Sequence, residues 1–488
     1  MFKSVLLHII LLALIQCNSG YSFEYKAQLD SFLTECNRQN MFSGTVLIAD
    51  RDSIIFCKGY GYANEEWQIP NDSTTKYYIG SISKQFTTMM IFRLIETGQI
   101  ELSDPIIKYL PDYRPDIGSI VTVDHLLRHM SGIPSYTTEH FWKTYSHKKY
   151  PRDEFIRRFC QGDLVFEPGS IYRYSNTNTY LLAAILENVT GISYRENLQK
   201  RLLRPLKMYN TGVIETDSIR PHEATNYQRR LGRYIHQPLI EHSNIMGTGS
   251  LYATVGDLLL WKKAFESDIV LSDSMREIVL EPYDRINKFY GRAYGWNVFT
   301  SKPRDCEKPI WLADYNGELF GAYAAVTRVL EDSLFIVLTS NHGRTPVTSD
   351  EILNIIYTGK YKLPQYPIDD FLGKIIYESG IDSAVAVYNS INTKYPTFSR
   401  QSENILNELG YNLLRSDMVE EALAIFEICT RDHPRAPNAW DSYAEGLAIS
   451  GDTATAIKYY QKSIQLNPNN DNARVMLEIL TGTQDNQE

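Results

Sequence analysis

The chain of 488 residues is 43% hydrophobic and 22% charged, enough for roughly two to four domains with a sizeable core and too apolar for a disordered chain. Its formal charge of −9 comes from 49 Lys+Arg against 58 Asp+Glu. Residues 366–488 alone hold 9 basic and 18 acidic side chains, so the first 365 are formally neutral. No basic stripe exists to neutralise phosphates, which argues against a nucleic-acid partner.

The first twenty residues read as an export signal. Lys3 precedes an apolar run over 5–15, and small and polar residues follow through Gly20. That is the charged, apolar and cleavable layout of a secretory leader, and the run is short for a membrane span. Leu14-Ile15-Gln16-Cys17 outlines a lipoprotein processing site that would place a lipid anchor on Cys17, with Gln where a small residue is usual. The alternative is cleavage near Ser19-Gly20. Either way an exported protein is expected: periplasmic, cell-envelope-associated or secreted. Beyond Cys17 lie Cys36, Cys57, Cys160, Cys306 and Cys429, widely spaced, without a CxxC pair. Export permits a disulfide such as Cys36–Cys57, but spacing alone does not specify one.

From 25 to 356 strands and helices mix. The runs 42–49 and 53–58 predict a hairpin around Asp50-Arg51-Asp52, and 322–329 and 333–338 predict a second around Leu330-Glu331-Asp332. Between them, helical patterns run over 83–97, stopping at Gly98, and over 124–130, stopping near Gly132 and Pro134. Strands at both ends with helices between predict an α+β domain: an antiparallel sheet closed by both termini, flanked by helices and an all-helical subregion. Residues 357–370, with Pro364 and Pro367, read as a linker.

Beyond the linker the pattern is helical with a 34-residue period. Ala422, Phe426 and Pro434 recur as Ala456, Tyr460 and Pro468, and Leu406, Leu409, Gly410 and Leu413 recur as Trp440, Tyr443, Ala444 and Leu447. Ala384, Tyr388 and Pro396 mark the second helix of an earlier, degenerate copy. Small residues let paired helices approach, and proline ends the second. The pattern resembles the tetratricopeptide repeat, which implies an all-α repeat domain over 371–482. Its concave face would suit a protein partner; the alternative is docking on the preceding domain or self-association.

Three short segments carry chemistry. Ser81-Ile82-Ser83-Lys84 opens a helix whose middle is apolar nearly all round, so its first turn is held rigidly. Ser81 and Lys84, three apart, share a face, where an amine can take or steer the serine proton. Tyr174-Ser175-Asn176 offers a phenol for general acid–base work and an amide that both donates and accepts. Tyr315-Asn316-Gly317 enters the terminal hairpin, where a glycine would let a substrate backbone lie along a strand edge beside a main-chain N–H.

In this order the three resemble the penicillin-recognising serine hydrolases, most closely the class C β-lactamase branch with its low-molecular-weight penicillin-binding proteins, D-stereospecific peptidases and esterases. The resemblance runs over 25–356 and includes the stretches 97–105, 125–134 and 247–254. It implies a β-lactamase/transpeptidase-like fold and acyl transfer. Ser81 would be the acylated nucleophile and Lys84 its proton partner. Tyr174 would protonate the leaving group and then activate water, and Asn176 would bind the substrate amide. The N–H groups of Ser81 and Glu318 would form the oxyanion hole beside Gly317. One position departs: the family usually has Lys, His or sometimes Trp where this chain has Tyr315. A tyrosine brings no charge to a substrate carboxylate, which would weaken recognition by about 1–3 kcal/mol. Arg344 could substitute, or stand as a solvated surface residue. Glu318, where a small residue is usual, is expected to narrow or charge the rim. Both changes argue against efficient β-lactamase action and leave ester, amide or peptide donors.

Other chemistries lack support. His125 and His129 are four apart but outside an HExxH pattern, so packing is expected and not metal binding. No Gly-x-Ser-x-Gly elbow occurs, and the mechanism implied needs neither metal nor organic cofactor. The rival reading is a non-catalytic, penicillin-binding-like protein that grips a ligand or partner. The presence of Ser81, Lys84, Tyr174 and Asn176 together favours the enzyme.

Overall fold

The computed structural model describes residues 23–303, 309–343, 345, 347–364, 367–394 and 402–482. The leader with Cys17, and also Cys306, Arg344 and Pro396, lie outside the described residues. Two compact units form: Met1–Tyr227 with His236–Pro364, and Gln228–Ile235 with Gln365–Glu488.

The strands of the large sheet in the first unit are β1 (Gly44–Asp50), β2 (Ser53–Tyr60), β3 (Asp284–Asn287), β4 (Tyr290–Ala293), β5 (Trp296–Ser301), β6 (Ile310–Leu319), β7 (Ala322–Val329) and β8 (Leu334–Ser340). They lie in the order β3-β4-β5-β6-β7-β8-β1-β2. β1 and β8 pair antiparallel from Gly44↔Ser340 to Asp50↔Leu334, so the two ends of the domain close the sheet as the sequence predicts. These two strands are almost wholly buried, which explains their unbroken apolar runs. The meander β3–β5 was not foreseen, because its residues are polar and half exposed and show no clean alternation.

Helices pack on both faces. On one side lie α1 (Phe23–Arg38) and α4 (Ser349–Thr358); on the other lie α2 (Ser83–Glu96) and α3 (Asn176–Thr190). All of Ser83–Phe92 is buried, so α2 is the central rod of the helical subregion. Phe86 stacks on Trp261 with ring centroids 3.8 Å apart. Gln85 ties the same rod down, accepting from Trp261 Nε1 at 3.0 Å and donating to Gly295 O at 2.8 Å. Gly98 ends the helix with φ +70°, its N–H bonding Ile95 O while Gln99 N–H reaches Leu94 O.

Among the described residues the regular elements of the second unit, apart from those in Gln228–Ile235, are helices: α5 (Ile368–Ser379), α6 (Ile381–Lys394), α7 (Ser402–Leu414), α8 (Val419–Asp432), α9 (Pro437–Ser450), α10 (Thr453–Leu466) and α11 (Asp471–Thr481). α8 and α10 start 34 residues apart, and the recurring Ala422, Phe426, Ala456 and Tyr460 are all buried. Gly410 lets α7 lie against Phe426, since a Cβ there would come within 2.4 Å of the ring. Leu231 is buried with Leu372 and Ile376, while Asp370 accepts from Gly232 N–H at 2.6 Å and pairs with Arg229. Nothing in the sequence pattern assigns this short segment to the helical unit.

Cys36, Cys57, Cys160 and Cys429 are free thiols. Among the described residues no helix is long and apolar enough to cross a membrane.

Candidate active site

Ser81 sits in a single 3-10 turn, Gly80–Ile82, that runs directly into α2. The turn is wedged against β6. Pairing of β5 with β6 stops at Asn297↔Asp314, so Tyr315–Leu319 has β7 on one side and the nucleophile turn on the other. The approach is close enough to demand glycine from both partners. A Cβ on Gly317 would lie 2.0 Å from Ile79 O and 2.5 Å from Ser81 N. One on Gly80, where φ is +49°, would lie 2.6 Å from Glu318 N. Gly317 therefore makes room for the chain's own nucleophile turn, where the sequence reading had it admitting a substrate backbone. The same packing sets the main-chain nitrogen of Ser81 against Gly317 and that of Glu318 against Gly80.

Alternation along β6 corrects the expectation for Glu318. Tyr315 and Gly317 pair with Val326 and Ala324, on the face of α2. Glu318 shares the face of Asp314, whose partner Thr327 bonds Ser349 of α4 at 2.7 Å. Its carboxylate thus points to the other side of the sheet from Tyr315 and Gly317, and what it brings to the site is its backbone N–H.

Around Ser81 Oγ two side chains converge, one from the next helical turn and one from 93 residues along the chain. Lys84 Nζ is 3.0 Å away and donates also to Thr248 O at 2.7 Å. Tyr174 Oη is 2.8 Å away on the other side. Lys84 is only 3% exposed, and burial drives its amine well below the ordinary lysine value. Burial pushes the Tyr174 phenol the opposite way, with the bond to Ser81 a smaller, opposing effect; the residue as a whole remains 39% exposed. Both shifts favour neutral groups, a free amine lone pair beside a phenol that still holds its proton.

Tyr315 stands behind this pair. Burial, with the Tyr174 phenol nearby, raises its pKa well above the usual phenol value. It supplies no charge. Asn176 opens α3, but its hydrogen bonds run to another wall: its N–H donates to Ser135 Oγ at 3.1 Å and its amide to Thr137 Oγ1 at 2.8 Å. A small cavity of about 30 Å³ adjoins Lys84, bounded by His129, Tyr172, Tyr283, Arg292 and Tyr315, roomy enough for a water molecule or two. Arg292 is held there by Asp284 at 2.8 Å and stacks on the Tyr172 ring.

Several of these residues escape the motif reading. Thr248 contributes a backbone oxygen, for which the only trace in the sequence is its place between Gly247 and Gly249. Ser135 and Thr137 follow the predicted helix end and carry no motif of their own. The two histidines have internal partners: His125 Nδ1 accepts from Thr122 N–H in a helix cap, and His129 lies against Tyr174 with ring centroids 4.7 Å apart. Desolvation is the main cause that pushes His129 down to about 3. Among the described residues no cluster of His, Cys, Asp or Glu is arranged to hold a metal.

Penicillin-binding protein 4* of Bacillus subtilis (strain 168) is 26% identical over 367 residues, which is 70% of this chain and 79% of that protein. The chain spans less of other curated relatives, 59% and 41% of their lengths. Among solved structures, the octameric penicillin-binding protein homologue from Pyrococcus abyssi superposes with a TM-score of 0.60 at 26% identity, covering 72% of this chain and 81% of that one. A D-stereospecific amidohydrolase from Streptomyces sp. shares the fold, with a TM-score of 0.57 at 20% identity over 69% of this chain and 99% of that one. The model of the Beta-lactamase family matches residues 29–357, two thirds of the chain, and with it the protein belongs to the β-lactamase and penicillin-binding-protein family of serine hydrolases.

Proposed function

We propose that the protein hydrolyses an uncharged ester, amide or peptide through an acyl-Ser81 intermediate. The observation that carries this is Ser81 Oγ held between Lys84 Nζ at 3.0 Å and Tyr174 Oη at 2.8 Å. The neutral Lys84 amine accepts the serine proton as Oγ bonds to the carbonyl carbon. The oxyanion is met by the N–H groups of Ser81 and Glu318. Tyr174 gives its proton to the leaving atom as that bond breaks, which leaves a phenolate beside a lysine ammonium. The phenolate then takes a proton from water, the hydroxide attacks the acyl carbon, and Ser81 Oγ departs with the proton stored on Lys84. Every proton is returned, and the net reaction consumes one water.

Neutral Tyr315 supports uncharged donors over carboxylate-bearing ones, so efficient β-lactam hydrolysis is not expected. Similarity to a penicillin-binding protein supports acyl transfer from an ester, amide or peptide donor without specifying which. The leader at Lys3–Gly20 supports action outside the cytoplasm. The 34-residue spacing of buried Ala422/Phe426 and Ala456/Tyr460 supports a tetratricopeptide-like stack that takes a protein partner.

The test is hydrolysis of a short-chain p-nitrophenyl ester by protein lacking residues 1–20, wild type beside Ser81→Ala. Turnover that vanishes in the variant is expected. Equal rates in both would refute the nucleophile and leave the ligand-gripping alternative.

A further inference from the structure

We propose that His129 is the residue that positions Tyr174 as proton donor to the leaving group, a role that rests on the reading of Tyr174 given above. His129 grips the chain on both sides of the tyrosine. The N–H of Arg173 donates to the His129 carbonyl at 2.9 Å, and the N–H of Ser175 donates to His129 Nδ1 at 3.4 Å. The imidazole face also lies along the Tyr174 ring, at 4.7 Å and 38°. Three contacts from one residue thus fix the position and the plane of a single phenol. Few routes exist for that phenol to shift without breaking one of them.

The geometry behind the grip is unusual enough to need explanation. His129 is a non-glycine residue with φ +54°, a left-handed conformation that costs a non-glycine side chain energy. The conformation turns its carbonyl toward Arg173 while its ring turns toward Ser175. Its neighbours hold the same two loops together: Met130 O accepts from Gly169 N–H at 2.8 Å, and Gly132 O accepts from Val165 N–H at 2.9 Å. Asn178 Nδ2 also lies 3.4 Å from Nδ1, so Nδ1 is the acceptor nitrogen and the ring proton sits on Nε2. The ring borders the cavity that Lys84 and Tyr315 share. A packing histidine would need none of this coordination.

A group that only supports the fold and one that aims a proton donor differ in a readout that reports on protonation of the leaving group. A p-nitrophenolate needs little help to depart, whereas an alkoxide needs a proton. The experiment measures kcat/KM of the full chain on p-nitrophenyl acetate and on ethyl acetate, for wild type, His129→Leu, His129→Asn and Tyr174→Phe. Leucine removes the acceptor. Asparagine keeps an acceptor oxygen and tolerates the left-handed backbone. Relative to wild type, His129→Leu should lose roughly 10- to 100-fold more on the ethyl ester than on the activated one, in the direction of Tyr174→Phe, and His129→Asn should restore the ratio to within about threefold. Equal losses on both esters in His129→Leu, or a ratio in His129→Asn as altered as in Tyr174→Phe, would overturn the role of His129. A flat ratio in Tyr174→Phe would instead remove the donor reading itself, and this one with it.

Discussion

Replacing Gly317 by alanine tests whether the nucleophile turn is seated where the chemistry requires. The added Cβ would lie 2.0 Å from Ile79 O and 2.5 Å from Ser81 N. Ordinary carbon–oxygen contact begins at about 3.3 Å, so the two backbones must separate by about 1.3 Å. Neither is the free end of a side chain: one is an internal strand and the other the first turn of a buried helix, so the displacement falls on Ser81 itself. A misplacement of about 1 Å costs on the order of 100-fold in rate, and overpacking of this kind about 1–3 kcal/mol in stability. The assay pairs p-nitrophenyl ester kinetics with thermal unfolding. Gly98→Ala is the control: it carries a left-handed φ of +70° with nothing within 4 Å, so it should show backbone strain alone and retain kcat/KM within about threefold. If Gly317→Ala matches that control in rate, the wedge between β6 and the nucleophile turn is not what holds Ser81.

Lys84→Met should abolish turnover and yet raise stability. A folded lysine with a lowered pKa leaves the unfolded chain holding the extra proton between that value and 10.5, so wild-type stability should climb with pH across this window by up to about 1.4 kcal/mol per unit. Denaturant titrations at several pH values should show that slope flattened in the variant; an unchanged slope would mean that Lys84 is charged in the fold. His129 makes the acid counterpart. Its pKa is pushed down to about 3 from 6.5, so stability should fall as pH drops from 6.5 toward 3, by on the order of 4 kcal/mol in all, and His129→Asn should remove that limb. Tyr315→Lys restores a cation, and the kcat/KM ratio of a carboxylate-bearing substrate to a neutral ester should rise roughly 10- to 100-fold; no change would mean that position 315 does not face the acyl donor. In the helical unit, Gly410→Leu forces bulk into a 2.4 Å approach to Phe426 and should destabilise that unit by about 1–3 kcal/mol, seen as faster proteolysis of the C-terminal region.

Much of this was legible in the residues themselves. Ser81 and Lys84 lie within one turn of the same segment, so their shared face follows from helical spacing, and the apolar middle of α2 announces burial before any fold is known. The strand runs at 42–49, 322–329 and 334–338 are apolar because both of their faces are largely covered, and the 34-residue recurrence reflects helices of fixed length in α8 and α10. These are local properties, and periodicity reports local properties well. Partners far apart in the chain are another matter. Tyr174 meets Ser81 across 93 residues and Thr248 meets Lys84 across 164, and no local pattern specifies either pairing. Where the Glu318 carboxylate points depends on strand register, which a slip of one residue inverts. Gly317 reads in sequence as a gap for a ligand and proves, once β6 is packed, to be a gap for Ile79 and Ser81. His129 reads as an ordinary core residue, because what sets it apart is a left-handed backbone and two loops that only the folded chain brings to its two polar atoms.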